Sequence, residues 1–380
     1  MINPSHLLAR KRALGLLLLA ITSGILVAGL WPFNFSPRNE VEWLKNTGGA
    51  RFYGLGLAYT EKPILSSPQT SIPTIQDSNI PLGLSIELWL QAGTESAPYT
   101  ARILSLYDNQ GIERVVLSQW KSGLILQKDI RGRHEERQPK LGIRNALPKG
   151  GKRFFTITSG AGGTCIYVGG KLLEKHPRFR LTSGKSLGPC QLILGNSPRG
   201  KQSWQGNLYS LAVYDVTLTE EQVFQHFQKW ENQEGAFLSK ERGLVALYLF
   251  DESSGPLAHD RAGNYNLLIP SRFEALQKTV LVPPWKDFEL SRSYALDIIT
   301  NILGFIPFGF FLAAYLRTRK TPMAARSSLV TILAAGITSL IIELLQIYLP
   351  MRSSQCADVI CNTLGAALGS YMTRGLKPDD

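Results

Sequence analysis

The chain has 380 residues, 44% of them hydrophobic and 18% charged, with a formal net charge of +12. The averages conceal long apolar runs near both ends and a central stretch of mixed composition, which excludes a single soluble globule. Much of the positive excess lies beside the apolar runs, so it is no argument for nucleic acid, and no nucleic-acid partner is expected.

The first run, Ala13 to Trp31, carries no charged residue and approaches the ~20 residues that a helix needs to cross the hydrocarbon. Arg10, Lys11 and Arg12 precede it. A secretory signal has the same basic start but a shorter apolar region, about 7 to 15 residues, so an uncleaved anchor is expected. Residues 1–12 then form a cytoplasmic N-terminus and 13–31 a first transmembrane helix. Trp31-Pro32-Phe33-Asn34-Phe35 follows and suits the headgroup level, where aromatic rings sit well.

Residues 32–292 read as a soluble domain with flanking linkers, large enough for a sizeable core. Short β-rich runs bounded by Gly, Pro, Asn and Ser recur: Leu84 to Leu90, Ala101 to Tyr107, Arg114 to Gln119, Gly123 to Gln127, Phe154 to Ile157, Thr164 to Val168, Gln191 to Leu194 and Gly206 to Tyr214. Such spacing predicts an all-β sandwich. Alternation in Ser85 to Leu90 places Ile86, Leu88 and Leu90 on one face and Glu87 and Trp89 on the other. One helix is signalled, with Thr219 as cap, Gln222 as its reciprocal partner and Leu218 with Val223 as the staple. Cys165 and Cys190 fall in this domain; a disulfide between them is open, as are free thiols. The basic residues Arg131, Arg133, Lys140 and Arg144 read as a solvated face or as a match for an anionic surface.

Ile86-Glu87-Leu88-Trp89, Ile166-Tyr167-Val168-Gly169-Gly170-Lys171-Leu172, Leu194-Gly195 followed by Trp204-Gln205-Gly206-Asn207-Leu208, and Phe250-Asp251-Glu252-Ser253-Ser254-Gly255 leading to His259-Asp260-Arg261-Ala262-Gly263 together resemble the laminin-G or concanavalin A-like domains. That resemblance implies a jelly-roll sandwich, with the last motif at the end of the domain instead of near its start, and it makes an envelope glycan a candidate ligand. Trp89, Trp120 and Trp204 are either stacking platforms for sugars or buried aromatics. Asp251 and Asp260 read as turn residues. No Cys or His spacing suits a metal and no acidic cluster matches a calcium loop, so no metal or cofactor is expected.

Residues 293–373 form a bundle of three further apolar helices, Tyr294 to Leu316, Ser328 to Leu349 and the shorter Ala357 to Met372. Residues 374–380 are a tail. Arg317, Arg319, Lys320 and Arg326 crowd one loop and Arg374 and Lys377 follow the last helix, whereas Arg352 stands alone in its loop. By the positive-inside rule both termini are cytoplasmic and the sandwich is outside. The expected class is therefore a four-helix transmembrane bundle plus an all-β jelly-roll sandwich, in the cytoplasmic (inner) membrane, with membrane lipid as partner. Pro307 is expected to bend its helix.

Ionisable groups are rare in such helices because desolvating them is costly. Here Asp297, Asn301, Glu343, Gln346, Arg352, Asp358 and Asn362 all fall toward the outer end. Asp297-Ile-Ile-Thr-Asn301-Ile-Leu-Gly304 and Asp358-Val-Ile-Cys-Asn362-Thr-Leu-Gly365 repeat one pattern, which predicts two helices of parallel direction. In one reading Arg352 pairs with Glu343 or Asp358 and the cluster holds the bundle together. In the other it is a polar pocket, with Arg352 gripping a phosphate or carboxylate and a carboxyl group available for proton transfer. Gly365 and Gly369 would allow close helix approach.

D-x-x-x-N-x-x-G-F-x-P-x-G from Asp297 to Gly309, Glu343-x-x-Gln346, Pro350-x-Arg352 and Asp358-x-x-x-Asn362-x-x-Gly365 resemble the VanZ-like family, and Pro32-Phe33-Asn34-Phe35 fits it as well. The family is bacterial and takes its name from an accessory protein of teicoplanin resistance. The resemblance implies an envelope protein that binds a glycan or lipid-linked cell-wall component, with a part in glycopeptide-type resistance. An enzyme or transporter for a lipid-linked substrate and a membrane-anchored protein-binding scaffold are the alternatives; binding is expected over catalysis, and no catalytic residue is assigned.

Overall fold

The computed structural model describes residues 4–65, 82–93, 99–130, 139–182, 187–288, 291–319, 326–350 and 352–375. Arg131, Arg133, Lys320 and Lys377 lie outside the described residues. The chain divides into two compact units, Pro37–Gln277 and the pair Met1–Ser36 with Lys278–Asp380.

In chain order, helix α1 (Pro4–Leu30) is followed by β1 (Val41–Trp43), β2 (Ala50–Phe52), β3 (Ala58–Thr60), β4 (Leu82–Ala92), β5 (Ala101–Asp108), β6 (Glu113–Trp120), β7 (Gly123–Ile130) and β8 (Lys140–Ile143). Next come β9 (Lys152–Gly160), β10 (Gly163–Val168), β11 (Lys171–His176), β12 (Cys190–Leu194), β13 (Gly206–Val216), α2 (Glu220–Glu231), β14 (Leu244–Tyr248), β15 (Leu257–Ala258) and β16 (Leu267–Leu268). The one-turn α3 (Pro284–Asp287) leads to α4 (Arg292–Arg317), α5 (Ser327–Gln346) and α6 (Cys356–Met372).

The central unit is a sandwich of two antiparallel sheets. One runs β1-β2-β13-β4-β9-β10-β11, with β14 beside β13, and the other runs β15-β16-β3-β12-β5-β6-β7-β8. Leu84, Ile86, Leu88 and Leu90 of β4 meet Leu104, Leu106, Leu117, Leu126 and Leu192 from the second sheet in one core. The period of two in β4 sends Glu87 and Trp89 to the opposite face, as the alternation predicts. There α2 packs through Val223 and Trp230, with Leu218 beside them. The capping box of Thr219 and Gln222 is formed.

That face also buries a carboxylate. Glu87 accepts the Tyr214 hydroxyl and the Trp230 indole N–H, each at 3.0 Å, and His226 Nδ1 lies 3.0 Å from its other oxygen. A buried carboxylate is tolerated only with such partners, so Glu87 ties α2 to the sheet.

Cys165 and Cys190 are free. The sheets explain why they do not pair: Cys165 packs on the face under α2, whereas Cys190 points into the sandwich core. β10 and β12 belong to different sheets.

Among the described residues of the helical unit three helices are long and apolar enough to cross a membrane: Lys11–Leu30, Arg292–Arg317 and Ser327–Gln346. The fourth, α6, has 17 residues, about 26 Å of helix. A Cβ on Gly365 would fall on the Ile302 carbonyl, one on Gly369 on the Ile306 carbonyl and one on Gly309 on the Ala366 carbonyl. The matched order Ile302–Gly365 and Ile306–Gly369 makes α4 and α6 parallel, as the repeat predicts. Asn362 bonds Ser339, and Glu343 bonds Gln355, so α5 runs the other way. α1 runs with α5, because Gly15 lies near Tyr315 and Gly29 near Ile342. Pro307 stands inside α4, which continues unbroken as a helix.

The two ends of this unit differ. One gathers Trp31, Phe33, Phe35, Trp285, Phe288 and Tyr348, all exposed. At the other, Arg317 bonds the Ser327 hydroxyl at 3.3 Å and the Thr373 carbonyl, and Arg319, Arg326 and Arg374 stand nearby in sequence. Leu296, Leu303, Leu333, Ile337 and Leu364 are exposed along the shafts, an apolar exterior suited to hydrocarbon.

Candidate functional site

The polar residues near the aromatic end fall into groups set by the helix that carries each. Glu343, in the last turn of α5, is 2% exposed. Its Oε2 accepts the Gln355 N–H at 2.7 Å, and the side chains of Ser354 and Asp358 lie within hydrogen-bonding reach of its carboxyl. Asp358, in the first turn of α6, accepts Nδ2 of Asn301 from α4 at 2.8 Å. The two carboxyl groups therefore face each other across the α5–α6 seam, with Asn301 closing the third side.

The start of α6 has no side-chain cap of its own, so its first N–H groups need other acceptors. Glu343 takes one. The segment before α3 takes another: Cys356 N–H donates to the Val282 carbonyl at 3.0 Å, Val282 N–H to the Ser354 carbonyl at 2.9 Å, and Leu281 N–H to the Ser354 hydroxyl at 3.1 Å. Ser354 and Gln355 are the residues that sequence reasoning missed. Both sit in a loop with no periodicity to mark them, and Ser354 is buried by the Leu281–Val282 strap.

Gln346 and Arg352 serve α1 instead. Gln346 Nε2 donates to the Gly29 carbonyl at 2.8 Å, and Arg352 Nη2 to the Ala28 and Trp31 carbonyls at 3.1 and 3.4 Å. A helix leaves its last four carbonyls without intrahelical partners, and these donors satisfy two of them. Among the described residues Arg352 makes no ion pair with Glu343 or Asp358, contrary to the pairing weighed from the sequence. Its guanidinium is exposed.

Asn362 lies one turn deeper than Asp358 along α6. It donates to the Ser339 hydroxyl at 2.8 Å, while its Oδ1 is buried and has no hydrogen-bond partner. Asp297 does not join the others: it is exposed on α4 and makes no hydrogen bond among the described residues. Gly304 likewise faces open space, whereas Gly365 is packed on Ile302. The two repeats therefore share a sequence but not an environment.

In the sandwich, Trp204 is a core residue that donates to Gln119 at 2.7 Å. Trp89 packs on Phe154 and Phe227 with the Lys152 amine 4.9 Å from its ring. Trp120, 46% exposed at the β6–β7 turn, is the one of the three with an open face. Asp260 accepts the Leu247, Ala262 and Tyr265 N–H groups, and Asp251 pairs with Arg261 at 2.8 Å, so both hold turns. Among the described residues no group of three or more His, Cys, Asp or Glu is placed to hold a metal.

No curated protein matches the chain. Among solved structures it is similar to a candidate carbohydrate binding protein from Bacteroides ovatus, at 16% identity and TM-score 0.38, over 59% of this chain and 58% of that one. It is also similar to a SAP-like pentraxin from Limulus polyphemus, at 14% identity and TM-score 0.34, over 50% of this chain and 80% of that one. A Trypanosoma rangeli sialidase gives 15% identity and TM-score 0.37, over 52% of this chain and 29% of that one. The chain thus spans less than two thirds of the first and third of these structures, and the two-sheet fold rests on its own strand pairings. Residues 216–377 match the family model VanZ/LLP1, a range that runs from the end of β13 through α6, and the C-terminal part of this chain is VanZ-like, as its motifs read.

Proposed function

We propose that this chain is a bacterial cell-envelope membrane protein that binds a glycan or lipid-linked cell-wall component. It crosses the cytoplasmic membrane four times, with both termini cytoplasmic and the laminin-G-like sandwich outside. The observation that carries this reading is Arg352. Its guanidinium is anchored through Nη2 on the α1 carbonyls, exposed, and without a carboxylate partner among the described residues. It also stands at the aromatic end of an apolar bundle, where headgroups lie. An arginine fixed in this way presents its remaining N–H groups to a phosphate in the geometry that such donors favour. In the sandwich, Trp120 offers the face on which a sugar ring would stack. A contribution to glycopeptide-type resistance follows if the bound component is the precursor that the antibiotic also recognises.

The burial of Glu343 beside Asp358 favours a second reading, an enzyme or transporter acting on the same lipid-linked substrate at the outer leaflet, since carboxyl groups in such a setting are poised for proton transfer.

The test is complementation in the native host by Arg352→Ala, Arg352→Lys, Glu343→Gln and a sandwich-deleted chain, each checked for insertion and abundance. Arg352→Ala is expected to insert normally and fail, with Arg352→Lys partly active. Full activity of Arg352→Ala beside failure of the sandwich deletion would leave the helices as an anchor and overturn the reading.

A further inference from the structure

One end of the sandwich gathers exposed aromatic rings and exposed cations. β6 and β7 meet there in the two-residue turn Lys121-Ser122, closed by the pairing of Trp120 with Gly123. Trp120 is 46% exposed, with the Lys121 amine 5.6 Å from its ring centroid. Tyr99, 41% exposed, stands two residues before Ala101, which pairs with Gln119 next to Trp120. The β8–β9 connection closes the same end: Ile143 of β8 pairs with Leu124 of β7, and the Leu147 N–H donates to the Ser122 carbonyl at 2.8 Å. Ala146 and Leu147 join the core, while Arg144, Lys149 and Arg153 around them stay exposed.

The charge at this end is uncompensated. Elsewhere in the sandwich Arg114 pairs with Asp108 and Asp129, Lys229 with Glu241 and Arg261 with Asp251. Lys121, Arg144, Lys149 and Arg153 make no ion pair among the described residues, and no Asp or Glu occurs from Lys140 to Leu173. The turn is also held in a costly backbone conformation. Lys121 and Asn145 both have a φ of 53°, in the left-handed region that disfavours a side chain. Gln119 Nε2 donates to the Lys121 carbonyl at 2.8 Å, and Ser122 Oγ to Asn145 Oδ1 at 3.0 Å, so the two strained positions are braced against each other. Strain kept at an exposed tip in this way fixes the backbone beside the ring and the cations before a ligand arrives, which lowers the ordering cost of binding.

We propose that this end of the sandwich is the subsite for an anionic glycan, a chain of sugars carrying phosphate or carboxylate groups; the inference rests on the glycan-binding reading above and names the class of glycan. Trp120 and Tyr99 supply flat apolar faces for sugar rings. Lys121, Arg144 and Lys149 supply donors for the charged substituents. A neutral glycan would use the rings alone and leave the cations idle. A lipid surface would call for projecting aliphatic side chains, and here Ala146 and Leu147 are turned into the core.

The test measures binding of dextran, dextran phosphate and inorganic polyphosphate to the full chain in phosphatidylcholine nanodiscs. The wild type is expected to bind dextran phosphate about tenfold more tightly than dextran, an advantage built from several exposed charge contacts and reduced by added sodium chloride. The double variant Arg144→Gln, Lys149→Gln should lose most of that advantage. Trp120→Ala should weaken dextran phosphate several-fold and leave polyphosphate unchanged, because only the sugar uses the ring. Equal binding of dextran and dextran phosphate by the wild type overturns the anionic class while the glycan reading stands. Binding of neither, polymer binding lost in Arg352→Ala but kept in the double variant, or Trp120→Ala with unaltered affinity for dextran phosphate also overturns the proposal. All the substituted side chains are exposed, and the comparison of polymers on the wild type alone decides the charge question if a variant fails to fold.

Discussion

Cys190 points into the sandwich core, where burial pushes its thiol from an ordinary 9.0 up to about 12. Burial, with the nearby Tyr59 hydroxyl second, likewise pushes the Tyr107 phenol from 10.0 up to about 12. Both groups ionise more readily in the unfolded chain, so the stability tied to them is fully present below pH 9 and is lost as the pH rises toward 12. Denaturant unfolding of the full chain followed by near-ultraviolet circular dichroism should therefore show a midpoint steady from pH 7 to 8.5 that falls between pH 9.5 and 11.5. A midpoint that stayed level there would mean that these side chains are not enclosed. Which way each cysteine points was not legible beforehand: the runs around Cys165 and Cys190 read equally as strands, and only the assignment of β10 and β12 to separate sheets parts them. By contrast, Ile86, Glu87, Leu88 and Trp89 declare their faces by alternation alone.

At the scale of elements, eight of the strands were legible as β-rich runs between turn residues, whereas β8 (Lys140–Ile143) and β14 (Leu244–Tyr248) were not singled out. The short strands β1, β2, β3, β15 and β16 carry two or three residues each and have no period to detect. β11 reads Lys171-Leu-Leu-Glu-Lys-His176, a polar edge strand whose exposed faces lack the contrast that marks a buried one. The α2 cap was legible because Thr219, Gln222, Leu218 and Val223 are local to it. The helix pairs give the sharpest element-scale prediction. Gly365→Val would drive a side chain into the Ile302 carbonyl and should cost at least the ~1–3 kcal/mol typical of overpacking, seen as a lower thermal midpoint and reduced abundance in membranes. Gly304→Ala meets nothing within 4 Å and should be neutral or gain up to ~1 kcal/mol from helix propensity. Equal damage from both would mean that α4 and α6 do not meet along Gly365.

For the whole molecule, the apolar runs and their basic flanks were readable at once, because a membrane span must be long and uncharged. The polar cluster was readable as a list of residues but not as an arrangement. Which partner each residue takes depends on how α1, α4, α5 and α6 are brought together, and that assembly removed Asp297 from the group and turned Arg352 toward α1. Orientation gives the prediction at this scale. In a cysteine-free background, Lys149→Cys should react with a membrane-impermeant maleimide on intact spheroplasts, and Arg374→Cys only after permeabilisation; the opposite pattern would invert the topology.

The clamp between Arg352 and Ala28 joins residues 324 positions apart. At about 5 to 20 residues per second of synthesis, α1 leaves the ribosome roughly 15 to 65 s before its partner exists. In the orientation proposed above, it then persists in the bilayer as a solitary span with open carbonyls at its end, while the β-sandwich closes its sheets on the outer side. Its uninterrupted apolar surface suits that wait. The last loop to be made is thus the one that completes the first helix, so a truncated or stalled product lacking Arg352 leaves α1 uncaptured, a state by which membrane quality control could tell a finished chain from an unfinished one.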